Sequence, residues 1–366
     1  MKKLLALALV FYASCASAQT AGPSQDWQKQ WNQVVADAQK EGKVVILGPP
    51  DQAVREGVPA AFKARYGITV DYIGGRSSES AAKLRAERQA GIYSVDVALS
   101  GIQTMAAIFY REKMLDPLKP VLIHPDVLDG SKWTSGKPWF MDPEGQYILR
   151  LFNTVTAMFY LNTAQVKPEE IKTAQDLLNP KFKGKIVVHD PTVPGTGSND
   201  AARLYVQFGE DYVKKLYIDQ KPMILRDRRQ ITDALVRGAY PIALGAEDGD
   251  LERLRKEGVP LHFIYSLSDL PGSLSAGIGQ AALFNHAPHP NAAKLFINWI
   301  ASKEGLEVFA RARGEAPTRN DIDALAFLPP ESVPKPGVKY FDTYEWEFTL
   351  STKEKIRARM GELLKQ

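Results

Sequence analysis

Apolar residues follow two alternating rhythms along the chain. In 27–40 they recur at helical spacing, with Trp27, Trp31, Val34, Val35 and Ala38 on one side and Glu41-Gly42 closing the segment. Val44, Val45, Ile46 and Leu47 then form a continuous run of the kind a buried strand shows. The grammar repeats as helix 58–66, strand 68–73, helix 78–90, strand 95–99 and helix 104–112. Strands alternating with helices predict an α/β fold built on a doubly wound, largely parallel sheet. Ligands of such sheets sit beyond the carboxyl ends of the strands. Those ends carry Gly48-Pro49-Pro50-Asp51, Gly74-Gly75-Arg76-Ser77-Ser78 and Ser100-Gly101.

The second half repeats the pattern after an interruption. Residues 133–142 are rich in Trp, Pro and Gly, and 149–161 is a long β-type run able to pass between two units, which places a boundary near Pro138. Strand 185–188, helix 199–208, strand 222–225, helix 229–236 and strand 241–244 follow. An extended stretch, 261–279, contains Pro271-Gly272, and 277–284 reads as a strand returning to the first unit. The expected division is 19–138 with 275–366 as one lobe and 139–274 as the other, joined by two crossings. Leu295, Phe296, Trp299 and Ile300 give 291–301 an amphipathic face, 328–340 is a Pro-rich surface tail, and 353–364 is a last helix.

Residues 1–18 read as an export signal: Lys2 and Lys3, an apolar stretch over 4–12, then Ala16-Ser17-Ala18 before Gln19. The apolar stretch is shorter than the roughly 20 residues that span a bilayer. Cys15 is the only cysteine and leaves with the leader, so no disulfide is expected. The alternative of a lipoprotein acylated on Cys15 meets Tyr12 where an aliphatic residue is usual. Release into the periplasm is the reading. The formal charge of +4 drops to +2 when Lys2 and Lys3 are removed, too mild to suggest a nucleic acid or a membrane surface as partner.

Catalytic signatures are missing. The sequence holds no G-x-S-x-G, no H-E-x-x-H, no Walker-type loop and no cysteine nucleophile after the leader, so neither an enzyme nor a cofactor is expected. His286 and His289 share the turn NHAPHP, which reads as an exposed loop, not a metal site.

Anion capture has more support. In GKIVVHDPTVPGTGSNDAARLY, from Gly184 to Tyr205, an apolar strand gives way to a turn in which Thr196, Gly197 and Ser198 cap a helix beginning near Asn199. Open N–H groups and a partial positive charge at such a start suit phosphate or carboxylate. Arg76, Ser77 and Ser78 combine a guanidinium fork with hydroxyls at another helix start. Ser100 lies at a third strand end. Arg228 opens a helix where a cation opposes the dipole, which points to a ligand anion or a nearby carboxylate. Ser273, in GSLSAG, lies in the second crossing. Glu247 and Asp248, in an acidic segment expected to be a solvated turn, would meet an ammonium if the ligand were a zwitterion.

The segments NPKFKGKIVVHDPTVPGTGS, RRQITDALVRGAYPIALG, GSLSAGIGQAALF and HPNAAKLFINWIASKEGLEVFARARGEAP resemble the periplasmic solute-binding proteins of ATP-driven importers. The likeness is to the branch holding ferric-ion, thiamine and aminoethylphosphonate carriers, and covers nearly the whole chain after the leader. It implies a two-lobed periplasmic binding protein fold of type II, each lobe a mostly parallel sheet flanked by helices. It also implies a ligand clamped between the lobes, a monomer, and docking onto an ABC permease of the inner membrane. Ferric carriers of this branch place adjacent tyrosines after the strand that 242–244 matches. Here Ala246-Glu247-Asp248-Gly249-Asp250 stands instead, and no adjacent tyrosine pair occurs anywhere in the chain. An anionic or zwitterionic organic solute therefore ranks above ferric ion or thiamine. A sensor feeding a membrane receptor kinase is the alternative role of the same fold.

Overall fold

The computed structural model describes residues 23–75 and 77–365, leaving aside the side chains of 23–26, 77, 78 and 248. The export signal, Cys15 and Arg76 lie outside the described residues. The strands are β1 (Lys43–Gly48), β2 (Thr69–Gly74), β3 (Val97–Ser100), β4 (Leu115–Asp116), β5 (Leu149–Arg150), β6 (Thr154–Thr156) and β7 (Phe159–Asn162). They continue as β8 (Ile186–His189), β9 (Met223–Leu225), β10 (Ile242–Leu244), β11 (Leu261–Ile264), β12 (Ser273–Ser275), β13 (Gln280–Phe284) and β14 (Phe341–Asp342). The longer helices are α1 (Pro23–Glu41), α2 (Gln52–Tyr66), α3 (Ser77–Gln89), α4 (Thr196–Phe208) and α5 (Arg228–Val236). After them come α6 (Asp248–Lys256), α7 (Pro290–Ala301), α8 (Lys303–Arg313) and α9 (Lys353–Leu363).

Two sheets form the body of the molecule. The first runs β2-β1-β3-β13-β4, with β5 also on β13, and the second runs β11-β7-β10-β8-β9. Each contains a parallel trio, β2-β1-β3 and β10-β8-β9, beside one antiparallel strand, β13 and β7 respectively. The sheets are thus mixed for a topological reason. β7 and β13 are the strands by which the chain arrives from the other sheet, so they enter against the local direction.

Both faces of each sheet are covered, as strands that are apolar on both sides require. On the first sheet one face packs Ile46, Val97 and Leu99 against α1, α2, α7 and α8, and the other packs Leu47, Ala98 and Phe284 against Met105 and Phe109. Phe62 of α2 meets Phe296 and Trp299 of α7 with ring centroids 5.1 and 5.2 Å apart. Each such buried ring contributes about 2–3 kcal/mol through lost water contact.

The apolar run 149–161 is three short strands and not one. It passes from β5 in the first sheet, through β6, to β7 in the second, while β12 leads back toward β13. β6 and β12 pair antiparallel, and β14 adds to β12 in parallel, giving a crossing sheet β14-β12-β6. The tail therefore makes a third passage. Tyr344, Trp346 and Leu350 pack with the first sheet, whereas Phe348, Ile356, Met360 and Leu363 belong to the core of the second. The expected division put all of 275–366 with the first lobe; α9 instead covers an apolar stripe of α4. Two further segments differ from expectation. Met105–Tyr110 is a π-helix, and the acidic segment after β10 is not a free turn, since Asp248 is the first residue of α6.

Candidate functional site

β8 ends at His189, and the chain turns through 190–195 before α4 begins at Thr196, three residues ahead of the expected start. Asp190 fixes the turn by accepting hydrogen bonds from the Thr192 N–H (2.8 Å) and hydroxyl (2.6 Å) and from Arg226 Nε (2.9 Å). Burial opposes its charge, but those bonds outweigh burial and hold the carboxyl below its ordinary value. The Gly197 N–H donates to His189 Nδ1 at 2.9 Å, which requires an unprotonated Nδ1, and burial lowers the pKa of this imidazole accordingly. Gly197 has no room for a side chain, because a Cβ would lie 2.4 Å from the His189 carbonyl oxygen and 2.5 Å from that of Asp190.

The Ser198 hydroxyl donates to the Gly195 carbonyl at 2.9 Å. Gly197 and the Ser198 side chain thus build the helix start itself, where the sequence reading had them facing a ligand. Among the described residues no partner meets the Thr196 N–H, the Thr196 hydroxyl or the Ser198 N–H. Those three donors remain open.

Arg228 converges on the same place. Its Nε donates to the Gly245 carbonyl at 3.0 Å, Nη2 to the Ala246 carbonyl, and Nη1 lies 3.1 Å from Glu247 Oε2. The guanidinium therefore ties down the loop after β10, and Glu247 is the carboxylate that compensates it. Thr196 Cγ2 and Asp200 Oδ2 lie 3.6 and 3.7 Å from the point where a Gly245 side chain would begin. Asp200, one turn along α4, was not anticipated. Burial pushes its carboxyl up to about 7, partly offset by Arg203 and Arg228.

The first sheet contributes a group of which only Asp51 was expected near a ligand, in the Gly48-Pro49-Pro50-Asp51 segment after β1. At the end of β1, Asp51 Oδ2 lies 2.6 Å from Nη1 of Arg313, the last residue of α8, and Arg313 Nη2 lies 3.5 Å from Glu315 Oε1. Thr154 of β6 donates its hydroxyl to Glu315 and accepts from the Ala316 N–H at 2.9 Å, which links this cluster to the crossing sheet. For Arg313 and Glu315 the available signal was the ARGEAP stretch, quoted for its resemblance but not for chemistry.

The other candidates are dispersed. Ser77 and Ser78 open α3, and Ser100 is buried at the end of β3 opposite Gln280, where it is not free. Ser273 is buried in the crossing sheet between Thr156 and Phe341. His289 donates its N–H to Asp96 at 2.7 Å and places Nδ1 2.9 Å from the same carboxylate, while His286 stacks on Tyr93, so the NHAPHP turn is anchored and not free. Among the described residues no three His, Cys, Asp or Glu side chains gather as a metal site. Two cavities, of 990 and 670 Å³, flank the Pro-rich tail on either side of Tyr340, and neither is lined by a candidate residue.

Comparison with known proteins agrees with this architecture. The iron-bound HitA of Pseudomonas aeruginosa superposes with a TM-score of 0.61 at 16% identity, over 88% of this chain and 99% of that one. AfuA of Actinobacillus pleuropneumoniae, a periplasmic binding protein with exogenous fructose-6-phosphate bound, gives 0.58 at 21%, over 87% and 96%. Trichodesmium IdiA (FutA), in complex with iron and citrate, gives 0.65 at 19%, over 88% and 98%. These likenesses establish a two-lobed binding-protein fold. An uncharacterized protein of Haemophilus influenzae is 25% identical over 291 residues, 75% of this chain and 77% of its own length. Residues 57–336 match the family described as bacterial extracellular solute-binding protein, and the chain belongs to that family.

Proposed function

We propose that the protein captures a small anionic or zwitterionic solute in the periplasm, between its two sheet units, and delivers it as a monomer to an ABC permease. The observation that carries this reading is the start of α4. Three donors without a partner among the described residues stand at a helix terminus beyond the end of an interior strand, where an anion gains both hydrogen bonds and the favourable end of the helix dipole. Asp248 at the start of α6 and Ser77 and Ser78 at the start of α3 are the further contacts proposed, together with Arg76. A ligand bridging both units favours the closed arrangement in proportion to its extra contacts there. The binding proteins whose fold it shares include one with a sugar phosphate bound and others with iron. An organic anion is favoured over iron here, because the loop after β10 offers no tyrosine and its Glu247 is already paired with Arg228.

A thermal-shift panel of phosphate, phosphonates, sugar phosphates, carboxylates, thiamine and ferric salts tests the reading. An anion at 100 times its dissociation constant stabilises the native state by about 2.7 kcal/mol. A melt that responds to ferric salts alone overturns it.

A further inference from the structure

Arg313 is held from two sides, by Asp51 at 2.6 Å and by Glu315 at 3.5 Å, where the end of β1 meets the crossing sheet. The position of Glu315 is enforced. Thr154 donates to it, and Gly277, with φ +52°, leaves the room it needs, since a Cβ there would lie 2.4 Å from Glu315 Oε1. One donor of Arg313, its Nε, is buried without a partner among the described residues, and a buried unpaired donor is costly to leave so. Burial raises the pKa of the Glu315 carboxyl, with Thr154 and Arg313 opposing it.

Two carboxylates, Asp51 and Glu315, face one guanidinium, Arg313, so acceptors and donors stand side by side. A second full anion placed here would meet Asp51, and an ammonium would meet Arg313. A hydroxyl suits it better, because one O–H can donate to a carboxylate and accept from a guanidinium at once.

We propose that Asp51, Arg313 and Glu315 form a subsite that reads hydroxyl groups, so that the solute is a polyhydroxylated anion, a phosphorylated or carboxylated polyol, with its charged head at the start of α4. This rests on the anion-capture reading above and narrows its ligand class. Titration calorimetry on the whole protein tests it with matched pairs sharing a head group: glycerol 3-phosphate against propyl phosphate, fructose 6-phosphate against hexyl phosphate, and gluconate against hexanoate. The hydroxylated member of at least one pair binds about tenfold tighter or more. Asp51→Asn and Arg313→Lys each shrink that ratio severalfold while leaving the deoxygenated partner within about twofold. Asp51 is the more exposed of the two, and its variant carries the test if Arg313→Lys does not fold. Anions that bind equally with and without hydroxyls, or a ratio unmoved by Asp51→Asn, overturn the subsite and leave anion capture standing. Failure of every anion to bind overturns anion capture itself, and the subsite with it.

Discussion

Arg150, wholly buried in β5, places its guanidinium on the carboxylate of Asp342 in β14, 192 positions away along the chain. The same side chain donates to the Phe152 carbonyl at 2.9 Å and lies over the Trp139 ring at 4.3 Å. This pair ties the first crossing to the third, and the two strands have no direct ladder between them. Neighbouring bonds extend the tie: the Phe341 N–H donates to Gly272 at 2.8 Å, and the Thr343 hydroxyl to Leu274 at 2.8 Å.

Removing one partner of a buried pair leaves the other charge uncompensated. Asp342→Ala therefore costs about 2–4 kcal/mol in urea unfolding, less than the cost at a fully enclosed pair because Arg150 retains two protein acceptors. Asp342→Asn keeps an acceptor and costs less. The double change Arg150→Met with Asp342→Leu costs less than the sum of the single changes. Unchanged unfolding midpoints for Asp342→Ala would show that the tail pair is not structural.

Much of this architecture was legible in the pattern of apolar residues, and the failures have physical causes. α7 was clear because its buried face recurs at helical spacing, and β8 because Ile186, Val187 and Val188 are apolar on both sides. The run 149–161 looked like one strand since periodicity does not record a change of sheet at Asn153 and Ala157. β14 has two residues and borrows its stability from β12, so nothing local announces it. The start of α4 was found as a place, but the roles within it were misassigned. That Gly197 answers to His189, and Ser198 to Gly195, depends on how the turn folds back. Asp51, Arg313 and Glu315 come together only when α8 packs on α2.

The two hydroxyls at the start of α4 should behave differently. Ser198→Ala loses the bond to Gly195 and costs about 0.5–1.5 kcal/mol of stability, yet changes affinity for the bound anion by less than about twofold. Thr196→Val leaves stability nearly unchanged and weakens the anion about fivefold or more, since its hydroxyl has no partner among the described residues. Parallel melts and calorimetry on the two variants read both quantities. The reverse pattern would assign the ligand to Ser198.

His189 makes the site sensitive to acid. Burial lowers its pKa below the ordinary value of 6.5, with the Arg226 carbonyl partly offsetting the effect. Stability from the neutral ring is present above 6.5 and is lost as pH falls through the lowered folded value, because the unfolded chain takes up the proton first. Protonation of Nδ1 also abolishes the acceptor for Gly197. Melting temperature and anion affinity should decline together below pH 6.5. His189→Asn, which retains an acceptor that cannot titrate, should flatten both profiles; profiles that remain parallel to those of the native chain would place the acid response elsewhere.

Asp200 acts in the opposite direction. Its carboxyl ordinarily titrates near 3.8 and is pushed up to about 7 by burial, so between these values the folded protein holds a proton that the unfolded chain has released. The contribution of this group to stability is therefore complete below about 3.8, falls as pH rises, and is lost above 7. At alkaline pH the native state keeps an ionised carboxylate for which no hydrogen-bond donor is found among the described residues, with Arg203 and Arg228 as its nearest compensating charges. Asp200→Asn removes that burden without changing shape. It should raise stability by about 1–3 kcal/mol at pH 8, with the gain shrinking toward zero near pH 4. Urea unfolding at the two pH values decides the matter. A gain independent of pH would mean that the neutral amide simply packs better than the acid, whereas a loss at pH 8 would mean that the ionised Asp200 holds Arg228, and with it the loop after β10, in place.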